Sequence, residues 1–306
     1  DRLDVVLGMR YSDETRDGDN AVRFLNFPSD VLDNVAEFDE ASFDDFTPKL
    51  GLNYTINDDI FAYGSVSQGF KAGGFNVGSY QNTPFDPEQI TAYEVGLKTE
   101  LAGGRLRLNS AAFMYDYEDY QFQDVENNNT VIRNAAEADI RGLEIEGSAL
   151  LGDKFSIDFG ATYLDAEFKN FTALDPKAPE LGLQTLDGRR LPRAPELKYS
   201  IGLSYTTPVA EGDLALRVDY TWQDEVYFSA FNVAQLYQDS YGWARARASY
   251  TTNSERWSIA AFIDNISDEE VISNATFNGD IIDSTVTGNM APPRTVGVEL
   301  RFSLGN

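Results

Sequence analysis

The feature that most constrains this chain is a two-residue alternation of apolar and polar side chains, repeated in segments of near-membrane-spanning length. Successive side chains of a strand point to opposite faces, so each such segment specifies a strand with one greasy and one polar side. The closing segment shows it cleanly. From Thr295 on, Val296, Val298, Leu300 and Phe302 point one way, while Thr295, Gly297, Glu299 and Arg301 point the other. Taken alone, its apolar side suits a soluble core as well as lipid. What decides is whether the pattern recurs.

It recurs along the whole chain. Leu3 to Tyr11, Leu50 to Ile56, Tyr93 to Leu97, Leu143 and Ile145, Phe155 to Tyr163, Leu197 to Tyr205, Leu214 to Trp222, Ala244 to Tyr250 and Trp257 to Ile263 all carry it, and the turn at Asn57–Asp59 leads into a further strand, Ile60 to Phe70. Between Arg105 and Tyr117 the faces are mixed, and the pattern does not orient Phe113 and Tyr115 against Met114. About twelve strands are expected, many near the roughly 9–11 residues a tilted strand needs to cross a bilayer. Short turns (57–59, 101–104, 152–153, 208–213, 251–255) alternate with longer segments. A soluble sandwich has no reason to gather its short turns at one end, whereas outer-membrane barrels have brief periplasmic turns and extended outer loops. Tyr11, Tyr54, Tyr163, Tyr205, Tyr220, Trp222, Tyr250, Trp257 and Phe302 fall near strand ends, where interfacial aromatic girdles belong. The expectation is an all-β, antiparallel transmembrane β-barrel. A soluble antiparallel sheet is the alternative.

Composition narrows the function. Lys+Arg number 24 against 50 Asp+Glu, a formal charge of −26, which argues against a nucleic-acid partner. Cys and His are absent, so disulfides, thiolate or His-ligated metal sites and a Ser-His-Asp triad are excluded. Paired acids such as Glu144 and Glu146 are the ordinary polar side of a strand, and no catalytic residue, cofactor or metal is assigned; the chain is not expected to be an enzyme. The Gly69–Gly74 run lacks the Lys-Ser/Thr of a phosphate loop and reads as a strand exit. The acidic stretch from about Ser12 to Ser42 has little periodicity and is expected to be a solvated loop. Its Asp13, Asp17 and Asp19 match no calcium-loop spacing, although such loop acids suit divalent bridging to surface lipopolysaccharide. The segment from about Asn170 to Pro195, punctuated by prolines, is read as a long loop, as are 223–240 and 267–290. Glu94, Lys98, Arg141, Glu144, Glu146, Arg217, Arg245, Arg247, Glu299 and Arg301 are expected to face the lumen. Charge on a lipid face costs about 2–4 kcal/mol at midplane. For any one of them, pairing with a charge on a neighbouring strand is a more economical role than ligand contact.

Four stretches resemble the TonB-dependent outer-membrane receptors: Tyr63–Asn76 (YGSVSQGFKAGGFN), Asn134–Glu146 (NAAEADIRGLEIE), Ile263–Glu269 (IDNISDE) and Thr295–Phe302 (TVGVELRF). The last is similar to that family's C-terminal insertion signal, with Gly297, Val298, Leu300 and Phe302 as its elements; Ser303–Asn306 follow where the aromatic commonly ends the chain. The resemblance implies a 22-stranded barrel with a plugged lumen, of which residues 1–306 would be the C-terminal portion, about twelve strands. The N-terminal plug, the first strands and the TonB-contacting segment would lie outside this chain. It further implies a receptor in the bacterial cell outer membrane, in contact with lipid and lipopolysaccharide. Such a receptor imports a scarce nutrient, most often a ferric siderophore or another large solute, energised by the TonB complex. The alternative within reach of the same barrel is a passive, porin-like channel. A surface enzyme or adhesin on a barrel scaffold is a third class.

Overall fold

The computed structural model describes residues 2–17, 19–26, 30–37, 40–76, 84–126, 129–175, 178–277 and 285–304, with side chains set aside at 18–39, 124–130, 135–136 and 179. Twelve strands form one antiparallel sheet in which every strand pairs with its neighbours in sequence order. They are β1 (Leu3–Arg16), β2 (Ala41–Asn57), β3 (Ile60–Lys71), β4 (Glu88–Leu101), β5 (Leu106–Glu126) and β6 (Asn129–Leu151). Then follow β7 (Phe155–Lys169), β8 (Leu197–Val209), β9 (Gly212–Gln223), β10 (Tyr241–Thr252), β11 (Trp257–Asp264) and β12 (Thr295–Phe302). β1 and β12 are the two edges, so the sheet is not closed within this chain.

The pairing fixes which residues share a face, because directly opposite residues of an antiparallel pair lie on the same side. Val298 stands opposite Ala261, Ala261 opposite Ala248, then Leu216, Tyr205 and Phe155 in turn. Farther along, Tyr54 faces Ala62, then Leu97, Ser110, Ile145, Ala161 and Tyr199. One continuous apolar face results. Among the described residues it carries no Asp, Glu, Lys or Arg from the short turns up to the loop-end aromatics Tyr11, Phe46, Tyr93, Tyr163, Tyr199 and Trp222. Tyr54, Phe155, Tyr205, Tyr250, Trp257 and Phe302 form the belt at the turn end. There Phe155 meets Tyr205 and Trp257 meets Phe302, both at 4.5 Å between ring centroids. Phe155 and Tyr163 are eight residues apart on β7, about 26 Å along the strand and about 20 Å once tilted. That height is close to, though a little below, the roughly 25 Å apolar band of an outer-membrane barrel. The rows are exposed rather than packed on another layer, Leu7 at 77% and Val298 at 70%.

The opposite face is polar and carries aromatics over glycines. Phe113 and Tyr115 belong to it, since Phe113 pairs with Glu94 and Gly142, and Met114 belongs to the apolar face. The Phe113 ring lies over Gly142, where a Cβ would come within 2.3 Å of it. A glycine is required there because the ring occupies the space a side chain needs. The five short turns all close one end of the sheet. Gly152, at φ 81°, supplies the left-handed residue of its turn.

Several expectations about the loops change. The stretch from Ser12 to Ser42 is not an irregular loop: β1 runs on to Arg16, β2 begins at Ala41, and Asp19–Asn26 pairs with Asp30–Glu37 as a ribbon. β5 and β6 reach well past Tyr117 and Ile140, through bulges between Asn134 and Ala138. Polar strands that pair only with each other, above the membrane, have no reason to alternate, so their sequences hide them. The segment 170–196 contains the paired strands Thr172–Leu174 and Leu183–Thr185. It closes the described core: its Phe171 and Leu186, with Phe168 of β7, each at most 1% exposed, lie against Ala138, Ala166, Leu191, Ala230 and Phe231. Ala166 and Phe168 are on the polar-face side of β7, so this core sits over the loop end of that face.

Candidate ligand site at the loop end

Nine of the ten charged residues expected at the lumen share the polar face: Glu94, Lys98, Glu144, Glu146, Arg217, Arg245, Arg247, Glu299 and Arg301. Arg141 does not. It pairs with Met114 and Asp165 and shares its side of β6 with Leu143 and Ile145. Its charge suggested the lumen, but the parity of the strand puts it on the apolar face, just above the aromatic belt.

The polar face is a wall of paired charges. Arg217 donates to Asp158 at 2.9 Å and to Ser204 at 2.9 Å, and reaches Asp219 at 2.5 Å; Arg245 lies 3.4 Å from the same Asp219. Arg247 donates to Glu299 at 2.5 Å. Tyr63 donates its hydroxyl to Glu94 at 2.6 Å, Lys98 stands over the Tyr63 ring, and Asn109 donates to Glu146 at 2.9 Å. Cross-strand pairing therefore accounts for most of these side chains.

At the loop end the segments following β7, β9 and β11 fold together around a cleft of roughly 760 Å³. Tyr120, Phe122, Phe228, Phe231 and Phe277 supply its aromatic surface, and Gln121, Asp175, Arg193 and Asn274 its polar groups. Arg193, at φ 60°, donates to Asn274 at 2.5 Å and so ties two loops distant in sequence. Arg190 joins Glu196 at 2.7 Å and Glu225 at 3.3 Å, its amide donates to Asn232 at 3.0 Å, and Arg189 donates to the Phe231 carbonyl. Glu225 also accepts the Tyr237 hydroxyl at 2.7 Å; that bond, with desolvation and Asp239, holds the phenol above its usual range. Ser229 lines the cleft with its Oγ buried and, among the described residues, without a hydrogen-bond partner. Rings that stack, one guanidinium and several amides suit a large ligand with flat, anionic groups. These residues were missed in the sequence because they sit in non-alternating loops and in the equally non-alternating outer reach of β5. The signal there was Arg193 between Pro192 and Pro195, and phenylalanines at 228 and 231 within a polar stretch.

The stretches that suggested a family explain themselves as fasteners. Asn76 exchanges bonds with the Ile132 backbone at 2.9 and 2.6 Å. Asn134 accepts from the Asp86 amide at 2.6 Å and donates to the Asp86 and Asp119 carbonyls at 2.7 and 2.9 Å. Asn265, fully buried, closes the turn after β11 by accepting from the Glu269 amide at 2.8 Å and donating to its carbonyl at 2.9 Å.

A family model described as TonB dependent receptor-like, beta-barrel matches residues 1–266. The pesticin receptor of Yersinia pestis is 24% identical over 305 residues, 99% of this chain and 42% of that protein. The crystal structure of the ferric yersiniabactin uptake receptor FyuA from Yersinia pestis superposes with a TM-score of 0.80 at 23% identity, over 98% of this chain and 43% of that one. The siderophore receptor PiuA from Acinetobacter baumannii gives 0.72 at 21% identity, over 98% and 41%. The chain thus spans less than half the length of the relatives it matches.

Proposed function

We propose that this chain, which belongs to the TonB-dependent receptor-like β-barrel family of Gram-negative outer membranes, is wall and outer loops of a receptor that imports a ferric siderophore, energised through TonB. The remaining strands of a 22-stranded barrel and the plug come from sequence outside residues 1–306, and the polar face lines the lumen. The observation that carries the reading is the aromatic cleft standing over the loop end of a charged wall whose other side, among the described residues, is free of charge between the short turns and the loop-end aromatics. A ligand held there is poised above the lumen. Supporting it, FyuA is described as a ferric yersiniabactin uptake receptor and PiuA as a siderophore receptor. The family is one of receptors, not enzymes.

Uptake of radioactive iron into cells carrying the complete gene, over a panel of ferric chelates, tests the proposal. One chelate class should be taken up, uptake should stop when the proton gradient is collapsed, and Arg193→Ala with Phe231→Ala should weaken it. Uptake that persists undiminished without the gradient indicates the passive channel instead.

A further inference from the structure

Charge is spread unevenly between the two ends of the sheet. The stretches at the loop end, strand ends included, are 12–45, 71–91, 116–141, 165–196, 223–240 and 264–294. They hold 35 of the chain's 50 acids and 11 of its 24 cations, whereas the wall and the short turns hold 15 and 13. Nearly the whole formal charge of −26 therefore belongs to the loop end. The cations there are taken up. Arg16, Arg141, Lys169, Arg190 and Arg294 each lie within 4.0 Å of a carboxylate oxygen. Many acids are not. Asp13 stands opposite Asp44, and Asp116 opposite Asp139, like charges that cost stability. Glu118, Glu180 and Glu270 are exposed and, among the described residues, have no ion-pair partner. The cleft itself is balanced, its lining holding one acid, Asp175, and one cation, Arg193. Its main surface is aromatic, and the face of a ring is negative and attracts cations.

We propose that the ferric chelate taken into the cleft carries no net negative charge, and that the acidic loops select cationic and neutral chelates and turn polyanionic ones away. The inference rests on the reading of the cleft as the ligand site. A single anionic group can still meet Arg193, because the guanidinium's partner there, Asn274, is neutral. A chelate that is anionic as a whole must first cross the field of the loops. A cleft under one sign of charge speeds association of the opposite sign by about 10–10³-fold, and it slows the same sign. The loop charge thus acts on entry, while rings and amides hold what has entered.

The test uses the complete receptor and four probes: a ferric tris-hydroxamate with a pendant ammonium, its acetylated neutral form, its succinylated anionic form, and a ferric tris-catecholate trianion. Should the receptor import another scaffold, the same three pendant groups are placed on that one. Uptake into cells and association with purified receptor, followed by tryptophan quenching, are measured at low and high salt. At low salt the ammonium form should associate about tenfold faster than the succinylated form. Added salt should slow the first and speed the second, with dissociation rates nearly equal. Glu118→Gln, Glu180→Gln and Glu270→Gln combined should narrow the gap about two- to threefold. Dissociation rates and the heat-resistant gel mobility of the folded barrel should stay unchanged. A succinylated form that associates as fast as the ammonium form, a difference indifferent to salt, or preferred import of the tris-catecholate overturns this inference and leaves the import reading standing. Uptake of no ferric chelate at all overturns both.

Discussion

Leu203 is the sharpest place to test which solvent covers the apolar face. It lies on β8 between Tyr199 and Tyr205, one from each aromatic belt, and so near the centre of the apolar band, with 51% of its surface exposed. Complete burial of a leucine is worth about 1.5–3 kcal/mol, so the half turned outward contributes about 1–1.5 kcal/mol if hydrocarbon covers it. An arginine at midplane of a barrel costs about 2–4 kcal/mol more. Leu203→Arg in the complete receptor should therefore destabilise by about 3–5 kcal/mol, a factor of a hundred or more in the folded-to-unfolded ratio. Ser200→Arg supplies the control. It lies three residues away on the same strand but on the polar face, opposite Gly160 and Thr221, and should change stability by less than about 1 kcal/mol. Guanidinium titration of receptor refolded into phospholipid vesicles, followed by tryptophan fluorescence and gel mobility, reads both values. Equal costs at the two positions, or a larger one at Ser200, would refute the assignment of faces, and with it the lipid-covered wall.

Other perturbations follow from particular contacts. Gly142→Val must push the Phe113 ring off its seat and should cost about 1–2 kcal/mol; combined with Phe113→Ala the two losses should fall short of additivity in a double-mutant cycle, because they remove one contact. Asn265→Ala strips the Glu269 amide and carbonyl of their partner in a fully buried turn, and should destabilise by about 2–3 kcal/mol, with faster amide exchange localised to 265–270. The Arg247–Glu299 pair is short but about half exposed on both sides, so its coupling in a double-mutant cycle should be weak and should shrink further with added salt. Tyr237 titrates above its usual range, so the stabilisation from its bond to Glu225 is complete below the unfolded value near pH 10 and is lost as pH rises through the folded value. Tyr237→Phe should remove that alkaline dependence in exchange measurements of the Val226–Tyr227 hairpin.

The wall was legible because its rule is local. Alternation needs only a strand and a difference between its two sides, and sequence-adjacent strands pair in order, so segments such as Phe155–Tyr163 and Leu197–Tyr205 revealed their faces unaided. Where both sides of a strand meet protein or water the contrast vanishes, which is why the ribbon at Asp19–Glu37 and the outer reaches of β5 and β6 passed for loops. Arg141 failed for a different reason. Its parity with Leu143 was readable, but charge was weighed above parity, and a position just beyond the aromatic belt tolerates charge on the lipid side.

By itself, then, the sequence determined a sheet of transmembrane strands, the side of most strands that meets lipid, though not that of β5, and the end at which the turns are short. Tertiary structure alone decided how Phe171, Leu186 and Phe231 close into a core, and how Arg193 reaches Asn274 to shape the cleft. Residues so far apart along the chain meet only because the strands beneath them fix the loops in space. No period in the sequence records a contact made through that third dimension.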